Sequence, residues 1–169
     1  KIADLAHTYF NLSEQTKVHV ADGRSFLATA GKYDVIMVDA YQDITIPFQM
    51  SSTEFFTEVK NHLTEGGVMV VNMNMRSEKE DAINDYLCDT IASVFEETMT
   101  VRVMGGTNTE LFAGNHPEML QILENRIQEM EENSLRWQME RVVAGLETRQ
   151  GGDKILTDDK APVEVLGMK

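Results

Sequence analysis

The chain has 169 residues, 42% hydrophobic and 25% charged, enough for one domain with a sizeable core and too apolar for disorder. Its net charge of -13 argues against nucleic acid, whose phosphates would be repelled, and leaves room for a cationic small molecule. Cys88 stands alone, which excludes an internal disulfide and fits a reducing, cytoplasmic setting. No apolar run approaches the ~20 residues of a membrane-spanning helix, so no membrane partner is expected.

The first residues, KIADLAHTYFNL, place Ile2, Leu5, Ala6, Tyr9 and Phe10 at helical spacing. There is no initiator Met, and the chain opens inside this helix. KVHVA, Lys17 to Ala21, predicts a short strand; Asp22 to Gly31 predicts a turn and a short helix stopped by Gly31. YDVIMVDA, Tyr33 to Ala40, is a continuous apolar run of the kind buried on both faces of a parallel sheet. Ser51-x-x-Glu54 is a capping box opening a helix with Phe55, Phe56, Val59 and Leu63 inward and Gly66 at its end. Val68 to Asn74 predicts a second buried strand. Ser77-x-x-Glu80 caps another helix, with Ile83, Leu87, Ile91, Val94 and Phe95 inward. TMTVRVM and TELFAGN, joined by GGTN, predict an antiparallel pair. One long helix is expected from about Pro117 to Glu147, with Glu129, Glu131 and Glu132 on its solvated face. Residues 1–150 form the α/β body, and 151–169 a loop-like tail that docks on it through Ile155, Leu156, Val163 and Val165.

Strands alternating with helix-length crossovers predict an α/β fold with a mainly parallel sheet ending in an antiparallel pair. Ligands of such sheets bind beyond the carboxyl ends of the strands. Asp22-Gly23, Asp39, and Asn72 with Asn74 close three successive predicted strands on one rim, which makes a pocket there the expectation. Asp22 has a second reading, as the cap of the helix beside it. Arg24 reads as a surface or helix-start residue. His7, His19, His62 and His116 have no metal-ligand spacing, and Cys88 lies on the inward side of its helix, so no metal is expected.

VHVADGRSFL, then KYDVIMVDAYQDITIPFQMSSTEFFTEVKNHLTEGGVMVVNMN, then LTDDKAPVE together resemble the spermidine synthase family and its spermidine-synthase-like relatives. The resemblance implies the S-adenosylmethionine-dependent methyltransferase fold, Rossmann-like. It also implies that Asp22 accepts a hydrogen bond from an adenine amino group, with Gly23 and Arg24 lining that end. Asp39 would face the reacting centre and take a proton from the attacking amine, with Tyr41 walling the pocket. The implied reaction is aminopropyl transfer from decarboxylated S-adenosylmethionine to a small-molecule amine, in polyamine biosynthesis, with S-adenosylmethionine itself as the other donor of that type.

Three departures qualify the match. The synthases typically carry D-S-S-D-P where this chain has Asp39-Ala40-Tyr41-Gln42-Asp43, so the second, amine-binding acid falls at Asp43, one position on. Asn72 stands where the synthases usually show glutamine, as a substrate-binding candidate. The family's glycine-rich loop and its ribose-binding acid have no counterpart here. The chain therefore resembles the carboxyl-terminal portion of a longer enzyme, lacking the first two strands and expected to be inactive alone. A non-catalytic or methyltransferase-like domain acting in assembly is the alternative. Without those strands, Tyr33–Asp39 would be a bare edge. Either Lys17–Ala21 moves over to pair with it or a second copy covers it, and a homodimer is the expectation.

Overall fold

The computed structural model describes residues 2–40, 46–74, 82–103, 105 and 108–162. In chain order these hold α1 (Ile2–Phe10), α2 (Gly23–Leu27), β1 (Tyr33–Val38), a 3-10 turn (Phe48–Met50), α3 (Thr53–His62), β2 (Leu63–Asn74) and α4 (Ile83–Ala92). There follow β3 (Glu97–Arg102), β4 (Asn108–Gly114), α5 (Met119–Glu129), α6 (Ser134–Ala144) and β5 (Glu147–Thr148). The five strands form one sheet in the order β1-β2-β4-β3-β5.

β2 joins the parallel and antiparallel parts of that sheet. It pairs parallel with β1, Val38 lying against Val71, and antiparallel with β4, Val71 against Leu111. β3 completes the predicted antiparallel pair with β4, and Met99 pairs with Thr148 of β5. The α/β class holds, but among the described residues only the β1–β2 pairing is parallel. The parallel side is short because Lys17–Ala21, expected as a strand, is irregular and unpaired. A strand needs a neighbour at about 4.8 Å to satisfy its backbone, and none is offered there. Its Val20 is 88% exposed.

Alternation along each strand divides the sheet into two faces. Met69, Val71 and Met73 of β2 and Leu111 and Ala113 of β4 point to one face. There they meet Phe55, Phe56 and Val59 of α3 and Leu87 and Ile91 of α4, with Phe95 beyond, all buried. The predicted inward stripes of both helices are thus in place. On the opposite face Met99, Phe112 and Val68 border an apolar cavity of about 440 Å³ roofed by α5 and α6 through Met119, Leu123 and Val142. Val35 and Met37 of the edge strand β1 are 55% and 72% exposed. Among the described residues no strand pairs with β1 on its outer side, the edge position expected from the sequence.

Several boundaries move for local reasons. Ser51 does not cap α3, because its hydroxyl closes the 3-10 turn by donating to the Phe48 carbonyl at 2.9 Å. Ser52, in extended backbone, takes over and accepts the Phe55 N–H at 3.2 Å. Gly66 does not end that helix; the chain turns extended at Leu63, whose main chain enters β2. Gly67 lies in the irregular stretch where Tyr33 faces Leu63 but Val35 faces Val68. A Cβ there would stand 3.0 Å from the Thr64 nitrogen, so a side chain would have to push the backbone aside. The proposed cap Ser77-x-x-Glu80 lies outside the described residues.

The single long helix is in fact two. Asn133 is extended and its side chain accepts the Leu135 and Arg136 N–H groups at 2.9 and 3.1 Å, starting α6 afresh. Arg136 then reaches back to the Met130 carbonyl and Gln128, holding the turn. The periodicity ran on because α5 and α6 both turn apolar residues toward the same sheet, whereas the capping asparagine marks the break.

The final described segment lies against α3 and α4. Leu156 is buried; its N–H donates to the Thr90 hydroxyl and its carbonyl accepts the Thr53 N–H, both at 2.9 Å. Arg24 of α2 grips Asp158 with two bonds of 2.8 Å, and the Ser52 hydroxyl also donates to that carboxylate. The Arg24 bond, then the Ser52 bond, hold the Asp158 carboxyl below its ordinary 3.8. A depressed carboxyl contributes stability that is complete above 3.8 and disappears as pH falls through the lowered value. Asp158 is half exposed, so the contribution is within about 1 kcal/mol. Asp158→Asn is expected to speed hydrogen exchange at Leu156 and Lys160 while barely moving the global melting temperature. In the unmodified chain, the amide shifts of these residues should change only below pH 3.8, followed by NMR.

Candidate active site

Asp39 follows Val38, the last residue of β1, and Val38 lies abreast of Val71, so Asp39 emerges beside Asn72. The Asn72 amide nitrogen donates to the Asp39 carboxylate at 3.0 Å. Asn108, at the start of β4, donates its own amide to the Asn72 side-chain oxygen at 2.8 Å. The direction of this chain is dictated by chemistry. An ionised carboxylate only accepts, so Asn72 must turn its NH₂ toward Asp39 and its oxygen toward Asn108, which must then donate. Three neighbouring strands are thereby tied together at one rim.

Glu110 lies directly across from Asn72 in the antiparallel register and is half buried. Burial, and then the negative charge of Asp39, push its carboxyl above the ordinary glutamate value. The rim thus holds two carboxylates flanking an amide, an arrangement suited to positive charge and to proton transfer. The sequence reading missed Asn108 and Glu110. Their only signal was period-two spacing opposite the buried Thr109, Leu111 and Ala113. The antiparallel register is what sets them beside Asn72.

Asp22 and Gly23 form a second group at the head of α2. Asp22 is fully exposed, and one of its oxygens accepts the Ser25 N–H at 2.9 Å, which holds its carboxyl below the ordinary value. Capping uses one oxygen, so the second reading of Asp22 is compatible with a ligand role for the other. Gly23 sits at ordinary van der Waals range of the Met50 side chain. The Arg24 guanidinium is turned to the tail, bonding Asp158 and the Gln49 carbonyl, with Glu58 at 3.8 Å. Tyr41 and Asp43 lie outside the described residues.

Other chemistry-bearing groups stand apart from this rim. The apolar cavity begins at Gly66–Val68, the opposite end of β2 from Asn72. Among the described residues no three His, Cys, Asp or Glu side chains are grouped to hold a metal ion. No described helix is long and apolar enough to cross a membrane.

A parallel βαβ unit whose strands deliver an acid and an amide at their carboxyl ends is a Rossmann-like arrangement. Solved structures agree on the fold. Human methyltransferase-like protein 13 in complex with SAH aligns over 94% of this chain and 72% of its own, with a TM-score of 0.61 and 24% identity. A spermidine synthase in complex with the transition state analogue AdoDATO aligns over 85% of this chain and 53% of its own, with a TM-score of 0.68 and 15% identity. The family model described as "Spermine/spermidine synthase domain" matches residues 3–112, and the chain belongs to that family. The curated "Probable polyamine aminopropyl transferase" of Bifidobacterium longum is 51% identical over 99% of this chain. The chain spans 42% of that relative's length.

Cys88 is no nucleophile at neutral pH. Burial pushes its thiol up to about 11, so at pH 8 only on the order of one thiol in a thousand is ionised. Alkylation by iodoacetamide at pH 8 is expected to be slow in the folded protein and to speed by several hundred-fold in denaturant, followed by mass spectrometry.

Proposed function

We propose that this chain is the reaction-centre side of a polyamine aminopropyltransferase, using decarboxylated S-adenosylmethionine as donor and a small amine as acceptor. Family membership and the relative from B. longum support the reaction class. The observation that carries the site is the Asp39–Asn72 hydrogen bond at the carboxyl ends of β1 and β2.

In this reading the donor supplies an electrophilic carbon next to a sulfonium. Asp39 removes the proton that keeps the acceptor an ammonium. The freed nitrogen lone pair forms the new C–N bond as the C–S bond breaks, and methylthioadenosine leaves with the sulfur electron pair. Asn72 holds one oxygen of the carboxylate and so limits its rotation. Asp22 offers its uncapped oxygen to the adenine amino group, with Gly23 beside it. Arg24 acts at one remove, fixing the start of α2 against the tail. Tyr41 would wall the amine pocket. The reaction calls for no metal. The chain alone is inactive in this reading, because ribose and methionine contacts lie elsewhere in the longer enzyme.

A cytoplasmic setting accords with the lone, half-buried Cys88. The exposed β1 edge with Val35 and Met37 supports pairing with a second copy of the isolated chain. Light scattering of the 169-residue chain at micromolar concentration is expected to give a dimer mass; a soluble, cooperatively unfolding monomer would contradict it.

The activity is tested in the full-length protein by following methylthioadenosine release. Asp39→Asn is expected to lower kcat by roughly 10²–10⁴-fold with little change in donor KM, since it removes the general base. Asp22→Ala should instead raise donor KM. Unchanged turnover in Asp39→Asn would remove that residue from the reaction.

A further inference from the structure

On the aminopropyl-transfer reading, the uncapped oxygen of Asp22 receives the adenine amino group, and its placement depends on α2. A helix of 5 residues is not stable by itself, so tertiary contacts must hold it in place. Leu27, at its carboxyl end, is buried in the core. Asp22 lies ~7.5 Å along the helix axis from that anchor, far enough to swing about it. The approach to Asp22 adds little restraint, since residues 13–23 are exposed throughout. Gly23 meets the Met50 side chain at ordinary van der Waals range and offers no polar hold. Arg24 ties the head down. Its guanidinium donates to the Gln49 carbonyl at 3.0 Å and to both oxygens of Asp158 at 2.8 Å, with Glu58 at 3.8 Å. A planar fork on a carboxylate fixes orientation as well as distance, which a one-point contact does not.

The other half of this joint is fixed independently of Arg24. Thr157 and Lys160 exchange two backbone hydrogen bonds, of 3.2 and 2.8 Å, closing a turn that contains Asp158. The Asp158 N–H donates to the Glu54 carboxylate at 3.0 Å, and the Ser52 hydroxyl donates to the Asp158 carboxylate. Leu156, just before the turn, is buried and bonded to both Thr90 and Thr53. The turn is thereby seated on α3 and α4, and α2 is brought to it. We infer that Asp158 is a positioning residue for the donor: resting on the reading of Asp22 as the adenine contact, the turn at 157–160 sets, through Arg24, the angle at which α2 presents Asp22. Asp158 touches neither substrate, so its loss should appear in donor KM and not in the chemical step.

The experiment measures kcat and both KM values in the full-length protein, with decarboxylated S-adenosylmethionine as donor and 1,4-diaminobutane as acceptor, for Asp158→Asn, Asp22→Ala and the two combined. Asp158→Asn is expected to raise donor KM about fourfold, since a partly exposed pair transmits no more, and to leave kcat and acceptor KM within about twofold. Asp22→Ala should raise donor KM roughly tenfold or more. Added to Asp22→Ala, Asp158→Asn should produce no further rise, because the contact it positions is already gone. A merely structural carboxylate would raise donor KM by the same factor in both backgrounds, and that result overturns the inference. Arg24→Lys keeps the charge but loses the fork; it should reproduce the Asp158→Asn change, and it carries the test if Asp158→Asn fails to fold. If Asp22→Ala raises donor KM and neither Asp158→Asn nor Arg24→Lys does, the role of the turn is wrong while the transferase reading stands. If Asp22→Ala leaves donor KM unchanged, the adenine contact falls and the role of the turn with it; if the unmodified protein releases no methylthioadenosine, the transferase reading falls as well.

Discussion

The placement of β2 between a parallel and an antiparallel neighbour is the constraint on which the rest of this molecule depends. Because side chains alternate along a strand, its register decides both faces at once. Met69, Val71 and Met73 go to the core under α3 and α4, and Val68, Val70 and Asn72 go to the other side. A slip of one residue would bury Asn72 and expose three apolar side chains. The deep burial of Phe55, Phe56 and Ile91 against this face opposes any such slip, since truncating residues of that kind costs about 2–5 kcal/mol each. The site at the rim is therefore positioned by the core.

The same logic explains how neutral amides organise charged groups. Asn72 and Asn108 are mounted on β2 and β4, whose backbones are locked by the ladder, so only their side-chain torsions remain to be fixed. A carboxylate that starts just past the end of β1 is held at 3.0 Å by a group mounted on the neighbouring strand. Glu110 is half buried across from Asn72, and burial, then the charge of Asp39, pushes its carboxyl above the ordinary glutamate value.

Asp158 joins segments distant in the chain. Arg24 from α2, Ser52 at the start of α3 and Asp158 near the end of the chain converge on one carboxylate. Leu156 inserts beside this joint and closes the core between α3 and α4. The head of α2, where Asp22 stands, is thus braced by the tail.

Much of this was legible in the residues themselves. The apolar run Tyr33–Val38, the stripe of Phe55, Phe56 and Val59 and the alternation of Thr109, Leu111 and Ala113 carry their own periodicity. Local patterning suffices to specify such elements and the α/β class. Asp39 and Asn72 were visible because each ends an apolar strand. Long-range pairing decided the rest. Lys17–Ala21 has the pattern of a strand but no neighbour to pair with, and backbone hydrogen bonds cannot form without one. Ser51 and Ser52 are equally good caps in sequence, and only the 3-10 turn before them chose between them. Asn133 split a continuous helical pattern because its capping bonds outweighed periodicity at that point. Asn108 and Glu110 look like ordinary strand residues until the antiparallel register sets them beside Asn72. Which side chains share a rim depends on how strands from distant parts of the chain align, and periodicity within one strand carries no record of that.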